Sequence, residues 1–273
     1  MLVMLAPSFD GSSDAYGRLA RATGMLPYDL KSRLKPGIWG VVRALADEEQ
    51  ANILAQRLRE DGFPAFAVSR DVAHDPNRRI VTVRSLELRS DQLVLHLRER
   101  EMTIPFGALT CIVRGEVHTG HVPARSVTPS SSTFRAVVPS TSDIQMFRES
   151  MSASAFNAFA AADLHFATVL WAARLDARSF DFARFGLTSE SPASDLDELV
   201  DTLAARASVR VDRGVRASSV VSVLMQSASA RGNTSVPPAP RSKEAASDER
   251  FDPYSRVIAE AERLLSHSRK VAQ

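Results

Sequence analysis

The sequence predicts an α+β protein: a small α/β sandwich, then a split antiparallel β-barrel capped by a helix, then a C-terminal amphipathic helix. Three observations lead there. Residues 1–73 alternate strand-like and helix-like stretches, as a layered α/β unit does. Residues 80–113 carry short segments with apolar side chains at every second position, the period of half-buried strands. Residues 251–271 place their apolar residues in one stripe at helical spacing. Composition agrees: of 273 residues, 44% are hydrophobic and 24% charged, and the mean hydropathy is -0.12. Those values exclude collagen-like, disulfide-scaffold and wholly disordered chains. The formal charge of +2 supplies no global basic field, and no basic run interleaves with aromatics, so no nucleic-acid partner is expected.

The elements follow in order. Leu2 to Leu5 reads as a strand; Asp14 to Arg21 and Tyr28 to Leu34 read as helices, the second stopped by Pro36-Gly37. Ile38 to Leu45 is β-rich around Trp39. Asp47-Glu48-Glu49 opens a helix whose dipole suits acidic residues, with Ile53, Leu54 and Leu58 at helical spacing. Gly62 ends it and Phe63 to Val68 returns as a strand. After the turn at 74–77, Ile80 to Leu88 alternates with a phase slip near Arg84-Ser85, read as a bulge. Leu93/Leu95/Leu97, Met102/Ile104/Phe106 and Leu109/Cys111/Val113 complete a four-strand meander. Residues 126–154 hold twelve Ser or Thr in twenty-nine positions, so a mobile insertion over 123–157 is expected. Strands resume at Ala161 to Phe166 and Val169 to Leu175, with Phe180 and Phe182 alternating beyond. The helix Ser194 to Ala207, capped by Ser194 or Asp195, closes a domain spanning 78–213. Residues 214–250, rich in Ser, Pro and charge, are expected as a largely disordered linker ahead of the helix 251–271.

The stretches "TGMLPYDLKSRLKPG" and "ALADEEQANILAQRLREDGFPAFAV" resemble the C-terminal domain of bacterial ribosomal stalk proteins. There a short helix pair precedes a strand, an acidic-capped helix, a glycine and a final strand. The resemblance covers about the first seventy residues and implies a fold and a docking role; the lysines of the family's binding face are largely missing here. Four strands, an insertion, three strands and a closing helix resemble the element order of pleckstrin-homology-like barrels.

Cys111 is the single cysteine, so no intrachain disulfide forms. The apolar start, Met1 to Ala6, is too short for a signal-peptide core, and no apolar run reaches about 18 residues. Only four of 34 basic residues are lysine, an Arg and Ala bias of GC-rich bacterial coding. A bacterial cytoplasmic protein is expected.

Sequence signatures of known chemistry are missing: no phosphate-binding glycine loop, no zinc-protease or EF-hand motif, no serine-hydrolase elbow. His118 and His121, three apart, read as loop histidines rather than a zinc pair with Cys111. Asp163 and His165 share one face of a strand and would need a third partner for acid–base work. Asp195-Leu196-Asp197-Glu198 suits a helix N-terminus without any ion. Trp39 and Trp171 read as core residues. No cofactor and no metal is expected.

Two sets of residues remain as candidate contacts. Arg98 and Arg100 lie in a hairpin where pleckstrin-like domains carry lipid-binding loops, and are candidate anion contacts despite the intervening Glu99 and Glu101. The terminal stripe of Tyr254, Val257, Ile258, Ala261, Leu264 and Leu265 has to be buried somewhere: on its own barrel, against a second copy, or in a partner's groove. With two module-like domains and no catalytic set, the expected function is a non-enzymatic adaptor or scaffold binding proteins through its domains and this helix. The alternative is a lipid- or small-ligand-binding barrel acting at a membrane surface.

Overall fold

The amino-terminal unit is built on β1 (Leu2–Leu5), all four residues of which are buried. Successive side chains of a strand point to opposite faces, so a strand apolar at every position needs cover on both sides. Val3 and Leu5 enter one core, Leu2 and Met4 another. β2 (Gly40–Ala44) and β3 (Ala65–Val68) flank β1, both antiparallel to it. α1 (Ser13–Thr23), α2 (Pro27–Arg33) and α3 (Glu48–Glu60) cover the Val3/Leu5 face with Leu19, Leu30 and Leu58. Local chemistry starts and stops them: Ser12 Oγ accepts from Ala15 N at 3.1 Å, and Asp47 Oδ1 from Glu49 N at 2.8 Å. Gly62 follows α3 with a φ of 83°, the left-handed turn that favours glycine. The computed structural model describes residues 1–118, 158–231 and 250–271. The insertion expected over 123–157 lies outside the described residues.

β4 (Ile80–Val83) and β5 (Ser85–Leu88) are one run of chain that changes sheets at Arg84. The Arg84 N–H donates to His96 O at 2.9 Å, and its carbonyl accepts from Asp181 N at 2.8 Å. The expected phase slip is this corner. β5 continues into an antiparallel meander with β6 (Gln92–His96) and β7 (Glu101–Pro105). β4 instead forms the edge of a five-stranded sheet with β8 (Leu109–His118), β9 (Ala158–Phe166), β10 (Ala172–Asp176) and β11 (Arg210–Asp212), in the order β11-β8-β9-β10-β4. Its two edge pairings, β4 with β10 and β11 with β8, are parallel.

The α+β class stands, but the sheets do not close into a barrel. A turn at Phe106–Ala108 separates β7 from β8, with Phe106 N donating to Asp91 O at 3.0 Å. β8 then pairs with β9, so the fourth strand of the expected meander belongs to the other sheet. Phe180 and Phe182 are not on a strand: they lie at a turn and a short 3-10 helix, Phe182–Phe185, and fill the core. α4 (Pro192–Ala207) closes that core with Leu196, Leu199, Val200 and Leu203. Neither Ser194 nor Asp195 caps it; the helix begins at Pro192, and Asp195 Oδ1 accepts from Ser189 N at 3.2 Å.

The expected linker 214–250 also needs correction. Residues 219–231 form α5 (Ser219–Arg231), with Val220 and Leu224 buried against the amino-terminal unit; residues 232–249 lie outside the described residues. α6 (Phe251–Val271) and α5 together occupy the space between the two large sheets. On one side lie Leu2, Met4, Val41, Phe66 and Val68; on the other lie Cys111, Val113, Val117 and Ala161 of the five-stranded sheet. The layers therefore run from α1–α3 through the three-stranded β2-β1-β3 sheet to α5 and α6. Beyond them come the five-stranded sheet and, last, α4 with the β5-β6-β7 sheet.

Candidate functional site

The stripe on α6 is spent inside the chain. Tyr254, Val257, Ile258 and Ala261 have no exposed surface, and Leu264 and Leu265 are half-buried against the same core. In this arrangement the face named as partner-binding is occupied by two of the protein's own three sheets. Close approach is permitted by glycine: a Cβ on Gly115 of β8 would lie 2.5 Å from the Phe251 ring, and one on Gly214 would lie 2.8 Å from Tyr254 Oη.

Buried polar pairs fix the register of α6. Arg174 on β10 makes a two-pronged contact with Asp163, directly opposite on β9, at 2.7 and 2.8 Å, and reaches Asp252 of α6 at 2.8 Å. Its guanidinium also stacks over the Phe251 ring at 4.9 Å. Ser255 Oγ donates to Asp163 Oδ2 at 2.7 Å and lies 2.8 Å from His165 Nε2. Further along, Tyr254 Oη donates to Asp212 Oδ1 at 2.6 Å, and Glu262 Oε1 accepts from both Trp39 Nε1 (2.8 Å) and Arg210 Nη1 (3.0 Å). Arg78 donates to Glu260 at 2.7 Å. These bonds reach α6 from the amino-terminal unit, the five-stranded sheet and the turn between them.

Asp163, His165 and Ser255 thus assemble the third partner that acid–base chemistry needed, yet the proton order is wrong for it. The serine proton points to the aspartate, so Ser255 Oγ accepts from a neutral His165 protonated on Nε2. A nucleophilic serine requires the reverse, a histidine that accepts. Burial pushes the His165 pKa from 6.5 down to about 4, with the charges of Arg174, Arg78 and Arg256 acting in the same direction and Asp163 opposing. Burial also works to raise the Asp163 pKa, but the charge and bonds of Arg174 override it and the net shift is downward. Asp252, holding Arg174 by one bond rather than two, is left with burial dominant and a raised pKa. All five groups are buried. The constellation is a latch between sheet and helix.

Among the described residues an open groove lies elsewhere. A groove of about 580 Å³ is lined by Arg114 and Glu116 of β8, Asp197 of α4, Arg213 and Arg216 of the loop before α5, and Arg250 just ahead of α6. Arg114 grips Asp197 through Nε at 2.9 Å and Nη2 at 3.4 Å. Arg213 Nη2 sits 3.9 Å from the same carboxylate and 2.8 Å from Asp201 just outside. Arg216 pairs with Glu116. The lining therefore carries four guanidinium groups against two carboxylates.

Arg98 and Arg100 are exposed on the tight turn between β6 and β7, closed by Leu97 N to Arg100 O at 2.9 Å, and do not line the groove. Cys111 is buried opposite His165, and burial pushes its thiol pKa well up. His121 lies outside the described residues. Among the described residues no three His, Cys, Asp or Glu side chains gather to hold a metal ion, and no helix is long and apolar enough to cross a membrane. Trp39 is a buried core residue with a polar handle, and Trp171 packs at 5.8 Å from Phe166.

Sequence reasoning missed the groove, whose arginines come from three separate stretches of the chain; only Arg213 and Arg216 are near neighbours in it. It also missed Arg174 and Ser255. For Arg174 a signal existed: "ADLHF" and "ARLD" place opposite charges in two adjacent apolar strands, as a buried cross-strand pair requires. An open α+β layered fold with a basic groove is the class the geometry defines. No family model matches the chain, and comparison with curated proteins and with solved structures finds no match.

Proposed function

We propose that the protein is a non-enzymatic adaptor of the bacterial cytoplasm that engages an anionic group of its partner in the arginine-lined groove. One observation carries the reading: Arg114, Arg213, Arg216 and Arg250, brought from three separate stretches of the chain, converge on one solvent-open concavity. Guanidinium groups present planar forks suited to recognising oxyanions. The internal use of the α6 stripe moves the working surface from that helix to this groove. The inward-facing proton order of the Asp163–Ser255–His165 cluster supports a binding role over catalysis, and the single, buried cysteine suits a reducing compartment.

A photo-crosslinking residue in place of exposed Ser222, on the groove lining, tests the reading in the native cells. The expected result is a discrete crosslinked protein that disappears in the Arg213→Glu, Arg216→Glu double variant and is not captured from Tyr28 on the far unit. Capture from Ser222 that ignores the double variant, or none above the Tyr28 background, overturns the reading.

A further inference from the structure

We infer that the knuckle between α1 and α2 docks on an anionic lipid bilayer, which Leu26 and Tyr28 enter while the basic residues around them face the headgroups. Four large apolar side chains are exposed among the described residues, and two of them are these near neighbours, Leu26 at 68% and Tyr28 at 81%. Ile53 and Leu170 stand singly on other parts of the chain, as scattered surface hydrophobes do. Leu26 is the N-cap of α2 and makes no side-chain bond to the helix. Helix formation prefers a polar residue there, whose oxygen accepts from one of the first free amides. A leucine that neither caps nor packs serves nothing within the fold, and such breaks of a local rule mark functional positions. The backbone holds it out in a set geometry. Gly24 turns with a φ of 68° and donates to Ala20 O at 2.9 Å, and Thr23 Oγ1 accepts from Met25 N at 3.4 Å.

Charge indicates what covers this tip. Residues 13–35 hold five basic residues against two acids, an excess larger than the +2 of the whole chain. Arg18 is taken by Asp14 at 3.2 Å. Arg21, Arg33 and Lys35 are exposed and have no carboxylate partner among the described residues; Lys31 is exposed, with Nζ 5.7 Å from the Tyr16 ring centroid. Tyr28, Lys31 and Ser32, at i, i+3 and i+4, lie away from buried Leu30, so the phenol and an ammonium share the outer face. An apolar tip with a tyrosine at its boundary and long cationic side chains around it is built to partition to a lipid–water interface. Size favours a bilayer over a protein. Leu26 and Tyr28 offer roughly 300 Å² between them, against about 800 Å² per partner in a standard protein interface. A bilayer needs no shaped counterpart, and its anionic surface attracts every free cation near it.

The test is co-sedimentation of the full chain with vesicles of phosphatidylcholine alone and of a two-to-one mixture of phosphatidylcholine and phosphatidylglycerol. The expected result is binding to the mixed vesicles about tenfold or more tighter than to the neutral ones, and lost at 1 M salt, where the screening length is about 3 Å. The Lys31→Gln, Lys35→Gln variant should bind the mixed vesicles about twentyfold more weakly, at about fivefold for each charge removed. Leu26→Asn should bind them about tenfold more weakly. Asparagine is a preferred N-cap, so this variant keeps or raises the thermal midpoint and its loss of binding is not a loss of fold. The Arg213→Glu, Arg216→Glu variant of the groove should bind as the native chain does. Equal binding to both vesicles overturns the inference, as does binding that Leu26→Asn leaves unchanged. It is also overturned if the vesicles are ignored and a crosslinking residue at Tyr28 captures a protein that is lost in the Leu26→Asn background, which would make the knuckle a protein interface.

Discussion

Asp163 is a charged residue with no exposed surface in the middle of a strand, and its survival there is an electrostatic problem solved by neighbours. Removing a carboxylate from water costs several kcal/mol, offset only when charge and hydrogen bonds return in good geometry. Arg174 supplies two bonds and Ser255 a third. His165, last in this chain, is held neutral chiefly because burial disfavours its charged form, and the positive charges of Arg174, Arg78 and Arg256 add to that. The consequence for stability has a definite sign. A histidine whose pKa falls from 6.5 unfolded to about 4 folded contributes fully above pH 6.5 and loses that contribution as pH falls toward about 4. The full difference is on the order of 3 kcal/mol. Thermal midpoints measured from pH 7.5 to 4.5 should therefore fall more steeply for the native chain than for His165→Gln, whose amide donates the same bond to Ser255 without titrating. Asp163 and Asp252, whose shifts oppose one another, are present in both chains, and what Arg174 contributes to their shifts is common to the two. Parallel curves would show that His165 titrates alike in both states.

At the scale of elements, α6 is where local and distant information separate. Its existence, its boundaries and its apolar stripe are legible in the sequence, because periodicity is a property of consecutive residues. So are β1, α3 with its Asp47 cap, and the β5–β7 meander. What covers the stripe is a property of residues 1–117 and 158–220 taken together, and no local pattern encodes it. The strands do carry a hint: "LVML" in β1 and "TCIV" in β8 are apolar at almost every position, which marks sheets covered on both faces rather than a barrel wetted outside. The barrel expectation failed for a related reason, since strand count and order do not reveal that β8 pairs with β9 and leaves β7. α5 was missed because its short apolar run sits beside a Ser-rich stretch and forms no clear stripe. The fit of α6 against β8 is tight enough to test directly. Gly115→Ala places a methyl group 2.5 Å from the Phe251 ring, and overpacking of this kind costs about 1–3 kcal/mol. The expected loss in denaturant midpoint is smaller when Phe251→Leu is already present than in the native background, giving a coupling above about 0.5 kcal/mol. Strictly additive losses would mean that the helix does not rest on Gly115.

On the scale of the whole molecule, the amino-terminal unit and the five-stranded sheet share one interior element. The face of the β2-β1-β3 sheet carrying Leu2 and Met4, and the face of the five-stranded sheet carrying Cys111, Val113 and Ala161, both meet α6. Without that helix each sheet would present an apolar face to water, at roughly 25 cal/mol per Å² exposed. The polar anchors bind both sides in the same way, Glu262 accepting from Trp39 of the amino-terminal unit and from Arg210 of β11. Units tied through a common core lose stability together, whereas modules on a flexible linker melt separately. Scanning calorimetry should accordingly give one transition, with calorimetric and van't Hoff enthalpies equal. A cavity made far from α6 in the first unit, Leu58→Ala, and one made far from it in the second, Leu199→Ala, should each lower that single midpoint, at a cost of about 2–5 kcal/mol. Two transitions, each moved by only one of the substitutions, would show that α6 joins the units without making them one cooperative body.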